Sequence, residues 1–108
     1  MMGHELSDSK AKTHPTVAPS RLTSEQRLDF RRVVLEALET TVRDGSGVVE
    51  IDLRATVEID ASGLGVLILL QKRARERGIV VRLHSVPNAV EQLLDATRLG
   101  ALFDIVRL

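Results

Sequence analysis

The fold is decided by one stretch: Val48-Val49-Glu50-Ile51-Asp52-Leu53, then, after a short gap, Asp60-Ala61-Ser62-Gly63-Leu64-Gly65-Val66-Leu67-Ile68-Leu69-Leu70. Because β-branched residues cluster in its first half, just after two glycines, that half is predicted to be a buried strand. The apolar second half predicts a helix that begins at Asp60, whose carboxylate can accept hydrogen bonds from N–H groups at the helix start. This order of strand, loop, acid, hydroxyl and helix places small polar groups at one exposed corner of a sheet.

Length and composition indicate one domain with an aliphatic core. The chain has 108 residues, 44% of them hydrophobic, with two Phe and neither Tyr nor Trp, and this length suits a single core. Its 15 basic and 15 acidic residues give a formal net charge of zero. That balance argues against a nucleic-acid-binding domain, which carries a basic excess or patch. The lack of cysteine excludes disulfides, zinc–thiolate sites and thiol chemistry.

The sequence predicts neither a targeting signal nor a membrane span. Residues 1–13 are polar and lack the apolar stretch of a secretory signal. The longest apolar run, Leu64–Leu70, is far shorter than the roughly 20 residues that a membrane-spanning helix needs. We therefore expect a cytoplasmic protein without membrane insertion. The scattered histidines match no metal motif, so neither a metal nor a cofactor is predicted.

We expect a mobile N-terminal tail, 1–20, followed by one folded domain, 21–108. The tail holds hardly any large apolar side chains, so burial cannot offset the entropy of ordering it; only Thr16-Val17-Ala18 could form a short strand. The domain is predicted to begin with a helix that has Thr23 and Gln26 at its start and an apolar face of Leu28, Val34, Leu35, Leu38 and Val42. A strand over 48–53 and a helix from about Ala61 to Arg77 follow. The last predicted elements are a strand over 79–84, a helix with Pro87 in its first turn, and a short strand over 105–108.

This alternation predicts an α/β fold in which helices cover a small sheet, mixed or wholly parallel. The central helix has two apolar stripes, whereas a helix lying on a sheet needs only one. The first stripe consists of Leu64, Leu67 and Ile68; the second consists of Val66, Leu69 and Leu70, with Arg73 on the same side. Either neighbouring helices cover the second stripe, or it is an exposed patch beside Asp60 that binds another protein.

The run Asp60-Ala61-Ser62-Gly63-Leu64-Gly65 after an aliphatic strand resembles the signature of the STAS domain, Asp-Ser-Ser/Thr-Gly-Leu-Gly. The resemblance covers about residues 24–108 and continues through Lys72–Gly78, the strand over 79–84 and Pro87–Val90. It implies a STAS-like single domain that acts as an anti-sigma factor antagonist in a partner-switching pathway of transcription regulation. In that family the unphosphorylated antagonist binds an anti-sigma factor, often a serine kinase. Phosphorylation of the first hydroxyl residue after the Asp abolishes the binding.

The residues that we expect to bind this partner lie along the central helix: Asp60, Ala61, Ser62, Gly63, Val66, Leu69, Leu70 and Arg73. Asp60 and Ser62 could instead serve only as helix caps. No catalytic residue is predicted, because a Ser62–His84–Asp52 triad would lack the Gly-x-Ser-x-Gly elbow. The alternative function is a STAS structural subunit, either of a stress-signalling scaffold or of a lipid-transport ATPase complex.

The sequence departs from the family pattern in two places. Ala61 matches the position that the family phosphorylates and has no hydroxyl, so Ser62, which matches the second hydroxyl residue, is the phosphoacceptor candidate. Either the chain is permanently able to bind its partner, or it is switched at Ser62. The strand pair usual before the first helix is hard to find in residues 1–22, which predicts a reduced N-terminal strand region. The resulting edge would leave backbone groups unpaired, so a homodimer is a further hypothesis.

Overall fold

The computed structural model describes residues 15–107. A short 3-10 helix, Gly100–Leu102, followed by Phe103, precedes the last strand. In chain order the other elements are β1 (Thr16–Val17), β2 (Arg21–Leu22), α1 (Arg27–Asp44), β3 (Val48–Asp52), β4 (Glu58–Ile59), α2 (Ala61–Glu76), β5 (Val80–His84), α3 (Asn88–Thr97) and β6 (Asp104–Ile105).

The strands form a four-stranded sheet in the order β1-β3-β5-β6 and a separate pair, β2-β4. Every pairing between the described strands is parallel. The predicted α/β fold is therefore confirmed. The sequence left open whether the sheet is mixed or wholly parallel, and the described pairings are parallel. The pair β2-β4 was not predicted, because a strand of two residues is too short to show an alternating pattern.

The central strands β3 and β5 bury one face of the sheet. Val49 and Ile51 are in register with Val81 and Leu83, and all four side chains are at most 2% exposed. The residues that alternate with them are half-buried or exposed, so the helices cover one face and the other meets solvent. This alternation is the two-residue period of a half-buried sheet.

Helix α1 turns the predicted face to the core except at Leu28: Val34 and Leu38 are buried, and Leu35 and Val42 pack against the core. Phe30, Val34, Leu38 and Thr41 are its buried residues, which follow the helical spacing of three and four. Leu28 was expected on the apolar face, but it is 70% exposed. It is wrong as a core residue because it lies two positions before Phe30, about 200° around the helix.

The helix ends follow the sequence closely. Gly45 ends α1 in the left-handed conformation, φ 73°, and donates its N–H to the carbonyl oxygen of Thr41, as expected for glycine there. Gly78, φ 71°, follows the end of α2. Pro87 was expected inside the first turn of the third helix; it is the residue before α3, in extended conformation.

Across residues 15–107, no helix combines the length and apolarity needed to cross a bilayer.

The folded domain begins before residue 21, the first domain residue predicted from the sequence. The predicted strand at Thr16–Val17 is present and pairs with Ile51 and Asp52. Ala18 is 2% exposed, and the Thr56 hydroxyl donates to the carbonyl oxygen of Pro19 at 2.8 Å. These contacts attach residues 16–19 to the core. The last strand, predicted over 105–108, is observed at Asp104–Ile105. The rest of the predicted tail, 1–14, and Leu108 lie outside the described residues.

The sheet edges bear on the homodimer hypothesis. In the described chain, β1 and β6 are the outer strands, and each has two residues. Very short edge strands are one way in which natural proteins limit pairing between sheets of different chains. Self-association therefore stays a prediction, and light scattering over a wide concentration range tests it.

Candidate partner-binding site

Asp60 caps helix α2 and joins it to the start of α1. Its backbone is extended, φ −126° and ψ −173°, and its Oδ1 accepts from the N–H groups of Ser62 at 2.9 Å and Gly63 at 3.1 Å. The other oxygen, Oδ2, accepts from the N–H of Ser24 at 3.2 Å. Both carboxylate oxygens are thus engaged, and one side chain holds the two helix starts side by side.

The start of α1 adopts half of the predicted capping box. The N–H and the hydroxyl of Thr23 both donate to Oε1 of Gln26, at 3.1 and 2.7 Å. The turn over residues 24–26 precedes the helix proper, which begins at Arg27. This turn presents the Ser24 N–H to Asp60, so the capping interactions of the two helices depend on each other.

A groove of about 430 Å³ lies between the first turns of α1 and α2. Its floor includes Val66, which is 3% exposed, and on its α1 side Leu28 is 70% exposed. The groove is lined by Arg27, Leu28, Arg31, Ala61, Ser62, Gly65, Val66 and Leu69. An apolar surface with a charged rim is typical of a site that binds another protein.

The predicted partner-binding residues divide into three groups. Ala61, Ser62, Val66 and Leu69 line the groove. Asp60 lies half-buried at its end as the helix cap, and Arg73 is exposed one turn beyond Leu69. Gly63 and Leu70 are buried in the core, so they support this surface and present no side chain to a partner.

The two glycines of the motif have different surroundings. A Cβ placed on Gly63 would overlap the carbonyl oxygen of Leu22 and lie 2.7 Å from the Leu22 Cβ, so the packing of α2 on β2 requires a glycine there. A Cβ placed on Gly65 would meet no atom within 4 Å, and Gly65 is exposed on the groove wall. Internal packing therefore explains Gly63 and does not explain Gly65.

The second apolar stripe of α2 is mostly covered, as the first of the two readings predicts. Helix α1 packs against α2, and Val66 and Leu70 are 3% and 0% exposed. Leu69 remains half-buried on the groove wall. The neighbouring helix covers the stripe except at its outer edge, where Leu69 faces the exposed Leu28.

Sequence reasoning missed four groove residues: Arg27, Leu28, Arg31 and Gly65. None of the four is among the predicted partner-binding residues, and the sequence predicts Leu28 on the apolar face of the first helix. The mismatch between Leu28 and the 30/34/38 spacing could have shown that it lies outside the buried face. Nothing in the sequence gives the approach of α1 to residues 61–69, because that contact joins distant parts of the chain.

The conceivable triad is not assembled: Asp52 and His84 are cross-strand neighbours on β3 and β5, but His84 contacts Glu50, and Ser62 lies elsewhere. His84 Nε2 lies 2.5 Å from Oε1 of Glu50, and Asp52 accepts from the N–H of Arg54 at 2.9 Å. Ser62 lines the groove, whereas His84 lines a different cavity. No group of three or more His, Cys, Asp or Glu suited to a metal ion occurs within residues 15–107.

A family model matches the chain in sequence, and a solved structure matches it in fold. The model of the family "Mlab, STAS domain" matches residues 12–107. Among solved structures, the chain is similar to a Thermotoga maritima protein named as a "putative anti-sigma factor antagonist", with 24% identity and a TM-score of 0.67 over 90% of this chain and 84% of that one. At this identity the likeness shows the fold. No curated protein matches the chain.

Proposed function

The chain belongs to the STAS domain family, and we propose that it acts in the cytoplasm as an anti-sigma factor antagonist. It binds an anti-sigma factor of the serine kinase type through the groove at the start of α2, within Asp60–Leu70, and so frees a sigma factor for transcription. The name of the Thermotoga structural neighbour and the groove beside the family motif support this proposal. On this reading the chain is a binding module and not an enzyme.

The observation that carries the proposal is the open glycine of the groove. Glycine inside a helix costs about 1 kcal/mol relative to alanine. At Gly65 no internal contact requires this cost, since a Cβ there would have free space. A partner that approaches the backbone of α2 closely would require it, because a side chain at this position would project into the groove.

Ala61 makes the interaction independent of the family's usual switch. It is the first residue of α2 and is exposed on the groove, where a phosphorylated hydroxyl would meet an approaching partner. Alanine accepts no phosphate, so the chain stays competent to bind.

Ser62 is the alternative acceptor: it is half-buried, and its hydroxyl makes no hydrogen bond within residues 15–107. Mass spectrometry after incubation with the kinase and ATP separates the two, since phosphate on Ser62 contradicts permanent competence.

The test is calorimetry of the full chain with each anti-sigma factor encoded in its genome. Leu28→Asp and Val57→Asp form a matched pair, because the two side chains are 70% and 74% exposed and only Leu28 lines the groove. We expect one anti-sigma factor to bind, about tenfold or more weakly with Leu28→Asp, a loss of roughly 1.4 kcal/mol, and unchanged with Val57→Asp. Failure of every anti-sigma factor to bind, or equal losses in the two variants, contradicts the proposal.

A second candidate is a STAS structural subunit of a signalling scaffold or a lipid-transport ATPase complex. Ala61 favours it, because a permanent assembly needs no phosphorylation switch. Copurification at fixed stoichiometry with transporter or scaffold subunits, and not with an anti-sigma factor, is the outcome that selects this candidate.

A further inference from the structure

Two arginines on the α1 side of the groove have no ion-pair partner among residues 15–107, unlike the neighbouring Arg32. Arg32, on the same helix, pairs with Asp29 at 2.7 Å and Glu36 at 3.3 Å. Arg27 and Arg31 are exposed, line the groove and make no ion pair within the described residues. In the first two turns of α1, the arginine that does not line the groove is therefore paired, and the two that line it have no ion-pair partner within the described residues.

This arrangement has an energetic cost in the free protein. Arg27 and Arg31 are four residues apart on one helix, where like charges repel by a few tenths of a kcal/mol. Arg73 adds a third cation without a described partner, one turn beyond Leu69 on α2. The groove thus combines an apolar floor with a positive rim, and the chain's net charge of zero makes this a local feature.

The α2 wall of the groove is long enough to contact a helix of a partner. Ala61, Gly65 and Leu69 recur every four residues along α2, which spans about 12 Å of helix at 1.5 Å per residue. Two of these three residues are small, so a third helix can approach α2 closely. Recognition of an amphipathic helix by an apolar groove uses this geometry, with anchors spaced at three and four residues.

From these features we propose that the groove binds an acidic amphipathic helix of the partner protein. Apolar residues of that helix cover Leu28 and Leu69, and its carboxylates pair with Arg27 and Arg31. This inference rests on the proposed function, since it gives the chemistry of the segment that the anti-sigma factor presents. Opposite charges at such a rim determine which partner is accepted and how fast it associates.

The experiment uses designed peptides, so that it does not depend on finding the anti-sigma factor. Two helical peptides carry the same leucines at helical spacing, and one has glutamates at the flanking positions where the other has lysines. The full chain, labelled with ¹⁵N, is titrated with each peptide and its amide shifts are followed by NMR. We expect the glutamate peptide to shift amides in 27–31 and 61–69, and to bind at least tenfold more tightly than the lysine peptide.

Charge reversal provides the matched control. Arg27→Glu combined with Arg31→Glu should reverse the preference, so that the lysine peptide binds more tightly. Arg75→Glu combined with Arg98→Glu changes the net charge equally at two exposed arginines outside the groove and should keep the preference for glutamate. The unligated spectra show whether each variant is folded.

The outcomes separate this inference from the proposed function. Binding of neither peptide, equal binding of both, shifts outside the groove, or an unchanged preference after reversal of Arg27 and Arg31 each overturns the inference. If the glutamate peptide binds as expected but no anti-sigma factor does, the proposed function fails and the site for an acidic helix stands.

Discussion

At the scale of single residues, some positions of the motif Asp60–Gly65 serve the fold and others form the surface. Asp60 caps α2 and reaches the turn before α1, while Gly63 packs against β2. Ala61 and Gly65 have their open sides on the groove. The motif and its capping acid could be predicted from the sequence, because a cap depends on neighbours in the chain. The different roles of Gly63 and Gly65 could not be predicted, because each role depends on which atoms of the folded chain lie next to the glycine Cα.

Alanine substitutions of these two glycines should have opposite effects on stability. Gly65→Ala should raise the free energy of unfolding by up to about 1 kcal/mol, because alanine is the better helix former and its Cβ meets open space. Gly63→Ala should lower it by about 1–3 kcal/mol, the usual cost of overpacking. Urea unfolding measures both. The same Gly65→Ala variant should bind the anti-sigma factor more weakly, and a variant that is more stable and binds equally well would remove Gly65 from the interface.

Ala61→Ser should restore a phosphorylation switch if the partner is a serine kinase. The new hydroxyl would stand exposed at the first position of α2, and its phosphate would bring about −1.5 to −2 charges into the groove lined by Arg27 and Arg31. Those arginines would then pair with the phosphate and be lost to the partner's carboxylates. Mass spectrometry should find one added phosphate, and affinity should fall at least tenfold. No uptake by a kinase that modifies a known antagonist under the same conditions would contradict this prediction.

At the scale of helices and strands, the sequence was most informative where an element is long. The helices α1 and α2 and the strands β3 and β5 could be predicted, since each repeats its hydrophobic period enough times to be recognised. The strands β2 and β4 could not, because Arg21–Leu22 and Glu58–Ile59 pair through two residues each. Their pairing depends on contacts between segments far apart in the chain.

The ion pair between α3 and the C-terminal segment should make the stability of the fold depend on pH. Arg107 donates from Nη1 to Oε1 of Glu91 at 3.1 Å, and its Nη2 lies 2.9 Å from Oε2. This hydrogen bonding holds the pKa of Glu91 below its ordinary value. A carboxyl whose pKa is lower in the folded state stabilises the fold above its unfolded pKa, and this contribution is lost as pH falls through the folded value.

Arg107→Ala should therefore raise the pKa of Glu91 towards that of a free glutamate, which an NMR titration of the Glu91 side chain measures directly. The variant should be less stable than the parent chain near neutral pH, and the difference should shrink as the medium becomes acidic. An unchanged Glu91 pKa in the variant would show that the ion pair is absent in solution.

At the scale of the whole molecule, the parallel sheet serves as a platform for the two helices that form the groove. The sheet order β1-β3-β5-β6 follows the chain order, so these described strands have no point at which the order reverses. That point is where open α/β sheets usually bind small ligands. The family and the exposed corner at Asp60 could be predicted from the sequence. The groove could not, because Ser24 and Asp60 meet only in the folded chain.

Hydrogen exchange of the full chain, with and without saturating anti-sigma factor, tests most directly whether this groove is the binding surface. Exchange protection on binding should appear in residues 24–31 and 61–69, the two walls of the groove and the turn that Asp60 holds. The C-terminal segment, 98–107, should exchange equally in both states. Protection confined to that segment or to the open face of the sheet, with the groove unchanged, would contradict the account.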